Sequence, residues 1–416
     1  MVSVAAAQVK PRAVPYADGP GLPAISAEAA ILMDADSGRV LFERHSDRRM
    51  YPASLTKMMT GLLACESGDL QRIHQASKTA AETGESSIAL TAGEPLKLEQ
   101  VLQASLIKSA NDATVMVAEC VGGNVPAFVE MMNNRAAAMG LRGTHFANPH
   151  GLHSADHYST AADLCELARQ AMQNESFAAI VGTRDTCIPW AGKPWMRKLV
   201  NRNRLLLSWN ECDGVKTGYT RQAGRCLAAS ASRDGWRLVC VVLKCGNSWT
   251  DARTLLEWGF SKYQRTCIAR ADDVYNLRVR RGAVGKVSAR PERDVFVILD
   301  QAEPAPKAVV AKGRCEAPIM PGQVVGTLQV TYAGKVQQVR LLALEEVPLS
   351  LWARLCNMKL PQAGTCGLVF LAAGVLLHGA GSKAARARRR RVKARRRKTD
   401  TSGPGDGRRA DGTTGD

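Results

Sequence analysis

Apolar and polar positions along the chain change period several times. Ala30-Ile31-Leu32-Met33-Asp34 and Arg39-Val40-Leu41-Phe42 flank a polar turn at Asp36-Ser37-Gly38, which predicts a β-hairpin. Between about 52 and 173 the spacing becomes helical, with Val101, Leu102 and Leu106 and later Val115, Val117 and Ala118 on the apolar side. Strand character returns at 225–231 and 237–243, followed by a helix at 251–259. Strands on either side of a helical insert predict an antiparallel sheet flanked by helices, an α/β (α+β) sandwich with an all-helical part.

The texture shifts again at about 267–346. Short alternating runs at 274–279, 295–299 and 324–330 are separated by Gly and Pro, the pattern of a small all-β domain. The boundary is expected near 263–271, giving a first domain at 27–265 and a β domain at 266–347. Residues 1–26, rich in Pro and Gly toward their end, read as a linker or the remnant of a signal segment. The stretch 348–361 alternates apolar residues with Arg354 and Lys359, as a segment lying flat on a membrane would. Residues 363–381 carry no formal charge and as a helix would extend about 28 Å, close to the roughly 30 Å hydrocarbon core. A basic run follows at once, which predicts a C-terminal transmembrane helix with a cytoplasmic tail at 382–416 and the rest of the chain outside the cytoplasm.

Charge adds to this picture through its distribution. The 416 residues carry a formal net charge of +18, but Lys383 to Lys398 alone holds eleven basic residues and no acid. Without the tail, residues 1–382 carry +9. The tail lacks interleaved aromatics, so anionic lipid headgroups are its expected partner and nucleic acid is not. Twelve cysteines show no paired spacing suited to zinc or a disulfide framework and read mainly as buried thiols.

Three short motifs carry candidate chemistry. Ser54-Leu55-Thr56-Lys57 begins a helix and places a hydroxyl and an amine three residues apart, where they meet. A Ser hydroxyl needs a base to become a nucleophile, and a desolvated Lys can supply one. The start of a helix also offers free N–H groups to an oxyanion. Ser109-Ala110-Asn111 joins a hydroxyl to an amide for proton relay and substrate orientation. Lys216-Thr217-Gly218, read as preceding a strand, pairs a cation and hydroxyl suited to a carboxylate with a glycine that admits a backbone alongside. Each motif alone is weak. All three in this order form the constellation of penicillin-recognising serine enzymes.

The surrounding residues narrow the resemblance. Tyr51-Pro52-Ala53-Ser54-Leu55-Thr56-Lys57, Lys108-Ser109-Ala110-Asn111-Asp112-Ala113, the run from Thr144 through Asn148-Pro149-His150-Gly151 to Leu152, and Asp213-Gly214-Val215-Lys216-Thr217-Gly218-Tyr219-Thr220 resemble the D-alanyl-D-alanine carboxypeptidases, low-molecular-weight penicillin-binding proteins of the S11 peptidase type. The resemblance implies a catalytic domain, a β-rich domain and a C-terminal membrane attachment. It implies that Ser54 forms an acyl-enzyme, that Lys57 activates it, and that Ser109 relays protons. Asn111 would hold the substrate backbone, Lys216 and Thr217 would face the terminal carboxylate beside Gly218, and the N–H groups of Ser54 and Tyr219 would hold the oxyanion. The implied reaction removes the terminal D-alanine from peptidoglycan stem pentapeptides during cell-wall maturation, with β-lactams as inhibitors and no metal or organic cofactor.

One position departs from the pattern: Ser248 stands where the family usually has an Arg that helps bind the substrate carboxylate. Arg253 is one cation that could replace it. A milder departure is Arg202 and Arg204, which alternate with Asn201 and Asn203. The Ser248 departure keeps a catalytically weak penicillin-binding scaffold as an alternative, and a serine β-lactamase is a further one. His145, His150, His153 and His157 cluster without the helical pattern of a metal site and read as structural. Glu166, within an amphipathic helical pattern, reads as a solvated residue.

Overall fold

The computed structural model describes residues 21–311, 315–332 and 334–357. The predicted hairpin forms as β1 (Ala29–Asp34) and β2 (Val40–Arg44). All six residues of β1 are buried, because elements cover both faces of its sheet; a continuous apolar run suits that position better than strict alternation.

The insert begins with a 3-10 turn, Ala53–Thr56, that runs into α1 (Lys57–Glu66), a helix buried from Lys57 through Cys65. After it come β3 (Ile73–Gln75), α2 (Lys78–Glu82), β4 (Pro95–Lys97), α3 (Leu98–Gln103), α4 (Asn111–Gly122), α5 (Val125–Ala138), α6 (Ala161–Ala171) and α7 (Glu175–Val181). Polar residues start several of these helices: Asn124, Thr160 and Asn174 each accept a hydrogen bond from the backbone N–H three residues on. Caps of this kind are worth about 1 kcal/mol each. A second ribbon, β5 (Asp185–Ile188) with β6 (Arg197–Val200), and the short α8 (Arg204–Ser208) lead back to the sheet.

The sheet is completed by β7 (Cys212–Thr220), β8 (Gly224–Arg233) and β9 (Trp236–Cys245), followed by α9 (Ser248–Lys262). Its strand order is β2-β1-β9-β8-β7, antiparallel at every junction, so β7 forms one edge. One core lies between the sheet and the helical insert, joining Ile31 and Val241 to Met58, Leu106, Val117 and Leu164. A second core lies on the opposite face, where Leu32, Leu227 and Leu238 meet Leu255 and Leu256 of α9. The Lys216-Thr217-Gly218 motif lies inside β7 rather than before a strand, which corrects the reading from sequence.

Beyond α9 the chain is β-rich, as expected. β10 (Tyr263–Ala269), β11 (Tyr275–Arg280), β12 (Lys286–Pro291), β13 (Val295–Asp300), β14 (Ala308–Ala311), β15 (Cys315–Glu316), β16 (Val324–Tyr332) and β17 (Lys335–Ala343) follow in turn. β10 pairs with β13, β16 pairs with β14 and β17, and β17 continues to Ala289–Pro291 of β12. The described residues divide into two compact units, the second comprising 278–287, 315–320 and 345–357. Within the second, Val279 and Arg280 pair in parallel with Cys315 and Glu316, and α10 (Leu351–Asn357) closes the described chain. Among the described residues no single helix is long and apolar enough to cross a membrane. The expected transmembrane segment at 363–381 and the basic tail lie outside the described residues.

Among the described residues Cys65, Cys165, Cys212, Cys226, Cys240, Cys245 and Cys315 are buried. Leu256→Ala removes a fully buried side chain from the α9 interface. It is expected to lower the unfolding free energy by about 2–5 kcal/mol, read from a urea titration.

Candidate active site

A cleft of about 780 Å³ opens beside the β7 edge and is lined by Ser54, Ser109, Asn111, Thr217, Gly218 and Tyr219. All three motifs thus converge on one space, although they come from the start of α1, the start of α4 and the sheet edge. Lys57 and Lys216 are buried and belong to the wall behind that surface.

Ser54 sits in the 3-10 turn rather than in the α-helix itself. In a 3-10 turn residues three apart are eclipsed, which aligns Ser54 with Lys57 more directly than an α-helical turn does. Lys57 Nζ lies 3.0 Å from Ser54 Oγ, 2.8 Å from Asn111 Oδ1 and 2.7 Å from the His150 carbonyl oxygen. The Asn111 and His150 oxygens can only accept. A neutral amine has two N–H bonds and one lone pair. Its two N–H groups therefore go to those oxygens, and its lone pair is left facing the Ser54 hydroxyl.

The electrostatics favour that neutral form. Burial pushes Lys57 well below its ordinary 10.5, and the charges of Lys216 and Arg202 push it the same way, against smaller opposing effects of Glu85 and Asp112. Burial, aided by Arg202, brings Lys216 to about 7. Desolvation penalises the charged form of a lysine, so both groups carry their proton less readily than in water.

The neighbouring backbone fixes the turn that carries Ser54. A Cβ on Gly218 would meet Pro52 O at 3.1 Å and Ser54 N at 3.2 Å, so β7 approaches the turn as closely as a glycine allows. The sequence reading gave this glycine to the substrate's approach; the contact with Ser54's own turn is a further demand on it. Gly151, with φ +85°, would place a Cβ 1.9 Å from Ala53 O. Its loop is held by Asn148, whose Oδ1 accepts from Gly151 N–H and whose Nδ2 donates to the Leu152 carbonyl.

Ser109 follows a π-helical turn, Ala104–Lys108, and adopts left-handed backbone at φ +64°. A non-glycine residue there is strained, a cost of order 1–3 kcal/mol that surrounding packing must meet. The turn presents Ser109 to the cleft just before Asn111 opens α4. Asn111 is anchored by its Nδ2 donating to the Gly84 carbonyl, 3.1 Å away.

The histidines are structural in their contacts. His157 Nδ1 accepts from Ala147 N–H, which leaves Nε2–H to donate to Thr56 Oγ1 at 2.7 Å, so the neutral ring ties the loop to the turn that carries Ser54. Burial pushes His157 down to about 4 and His150 to about 3. Among the described residues no group of three or more His, Cys, Asp or Glu could hold a metal ion. Glu166 pairs with Arg169 at 2.7 Å. Arg253, one cation that the sequence left open as a substitute for the family arginine, is bound to Glu257 and lies outside the cleft lining.

Sequence reasoning missed the His150 carbonyl as a partner of Lys57, and it did not assign Arg202, Arg204 and Arg225 to the cleft wall. These three arginines share the cleft lining with a single carboxylate residue, Glu85. The resulting cleft is chemically suited to an anionic ligand.

The chain is similar to known proteins. A family profile described as D-alanyl-D-alanine carboxypeptidase matches residues 17–247, and one described as the C-terminal domain of penicillin-binding protein 5 matches residues 263–349. The D-alanyl-D-alanine carboxypeptidase DacF of Bacillus subtilis (strain 168) is 34% identical over 345 residues, covering 77% of this chain and 85% of the relative. DacA of Escherichia coli (strain K12) is 32% identical over 352 residues, covering 79% and 85% respectively. Among solved structures, penicillin-binding protein 5 of Haemophilus influenzae aligns with a TM-score of 0.66 at 30% identity, over 79% of this chain and 100% of that one.

Gly151→Ala is expected to destabilise the protein by more than about 2 kcal/mol and to abolish its labelling by a fluorescent penicillin, because strain and overlap fall on the same residue. Arg202→Gln removes a charge that lowers both lysines. Were Lys57 the base, the rate of penicillin acylation would reach its plateau at higher pH than in the wild type, as read from a pH–rate profile.

Proposed function

The chain belongs to the D-alanyl-D-alanine carboxypeptidase family of serine peptidases, and we propose that Ser54 is its acylated nucleophile, with Lys57 as the base. The observation that carries this assignment is the hydrogen-bond set of Lys57, which leaves a lone pair at 3.0 Å from Ser54 Oγ. In acylation Oγ attacks the carbonyl carbon of the penultimate D-alanine while its proton passes to Lys57 Nζ. The tetrahedral oxyanion is held by the N–H groups of Ser54 and Tyr219. Collapse breaks the C–N bond, and the departing D-alanine amine takes a proton through Ser109. Water then cleaves the ester, its proton relayed by the same groups, and Ser54 is regenerated.

Asn111 serves twice in this reading, accepting from Lys57 and aligning the peptide backbone with β7. Lys216 donates to the Thr217 carbonyl at 3.0 Å and keeps positive potential behind the wall, while Thr217, Gly218 and Tyr219 supply the strand edge along which the stem peptide lies. β-Lactams enter as analogues of the same dipeptide and stop at the acyl-enzyme.

The membrane assignment belongs to the same proposal. Residues 27–265 form the catalytic domain and 266–347 the β domain, outside the cytoplasm, with 363–381 crossing the bilayer and 382–416 on its cytoplasmic side. The exposed Leu351, Trp352 and Leu355 of α10 support it, since such side chains suit the headgroup boundary.

The test is D-alanine release from a peptide ending in D-Ala-D-Ala, with Ser54→Ala as control. Release by the wild type, lowered at least about 10⁴-fold in the variant, is the expected outcome. Equal release by both proteins would remove Ser54 from the mechanism.

A further inference from the structure

The substrate ends in a carboxylate, and that charge must be met at the cleft surface. Ser248, at the first turn of α9, lines the cleft but offers no charge. Lys216 is buried and bound to its own strand, so the matching cation must come from the arginines on the wall. Their surroundings differ. Arg202 acts on Lys57 and Lys216, which places its field at the reacting end of the cleft. Arg204 sits over Trp249, its guanidinium carbon 4.6 Å from the ring centroid.

Arg225 occupies the remaining corner. It stands opposite Tyr219 in the β7–β8 ladder and opposite Cys245 in the β8–β9 ladder, so it sits between the substrate-binding edge and the turn that begins α9. Its Nη1 donates to the Gly246 carbonyl at 3.2 Å, two residues before Ser248. That one bond to a neutral oxygen steers the guanidinium and leaves its other N–H groups open. Among the described residues it has no carboxylate partner. A planar fork held in this way can take a carboxylate through two parallel hydrogen bonds.

We propose that Arg225 binds the terminal carboxylate of the substrate, so that a guanidinium from strand β8 takes the part that an arginine at position 248 would play. The assignment rests on the carboxypeptidase activity and names the group that makes it specific for a free chain end. Specificity of this kind comes from one charge-assisted contact: a peptide with an uncharged terminus leaves the guanidinium without its partner, whereas a free acid satisfies it.

The experiment compares the full-length wild type, Arg225→Gln, and the double variant Arg225→Gln with Ser248→Arg. Each is assayed on a peptide ending in D-Ala-D-Ala and on the same peptide capped as a C-terminal amide. The wild type should favour the acid by kcat/KM, and Arg225→Gln should reduce the acid-to-amide ratio by about 10- to 100-fold, chiefly through KM for the acid. Adding Ser248→Arg should restore the ratio, which a merely structural role of Arg225 would not explain. An unchanged ratio in Arg225→Gln would overturn the assignment, as would an equal loss on both substrates with no recovery in the double variant. A wild type that releases no D-alanine at all would overturn the carboxypeptidase reading itself, a different result from any change in the ratio.

Discussion

The site depends on an amine that is buried without a carboxylate to hold its proton. Among the described residues Lys57 Nζ meets only a hydroxyl, an amide oxygen and a backbone carbonyl, with two further cationic residues acting on it. An ammonium in this position would be desolvated and repelled by its neighbours; a neutral amine satisfies every partner. Burial is therefore what disfavours the ammonium, and the elements around α1 serve to maintain that burial. The helical insert closes over α1 from one side, and β7 and the 148–152 loop press on the turn before it.

This construction explains why small residues recur around a polar centre. Gly218 and Gly151 allow two separate backbone segments to touch the same 3-10 turn. His157 and Thr56 then join the loop to that turn through a neutral hydrogen bond. The strain at Ser109 is of the same kind, since left-handed backbone there turns the chain from the π-helical segment into α4 and presents both Ser109 and Asn111 to the cleft. Close packing and local strain, rather than charge pairing, hold the reacting groups in place.

Much of this was legible in the sequence, because the relevant spacings are local. Ser54 and Lys57 meet through a three-residue offset, the β1–β2 hairpin through its polar turn, and α9 through its apolar period. What was hidden depends on contacts distant along the chain. The His150 carbonyl reaches Lys57 across 93 residues and, as a backbone atom, has no side-chain signature. Arg225 becomes a cleft residue only through the register that sets it opposite Tyr219. Arg253, nearer to Ser248 in sequence than Arg225 is, is held on its own helix by Glu257. The period of β7 also misled: a strand interrupted by Gly214 and Gly218 looks like a loop leading into a strand, although it is the sheet edge itself.

The charge state of Lys57 is the point on which the account turns, and it can be observed apart from catalysis. Protein carrying ¹³C at the lysine ε-carbons, with the Lys57 resonance assigned by Lys57→Arg, can be titrated by NMR. The account predicts that this resonance follows a pKa far below the ordinary 10.5, leaving the amine neutral at the pH of activity. A Lys57 that titrates near 10.5 would contradict it, because the amine would then hold its proton when Ser54 needs to give one up.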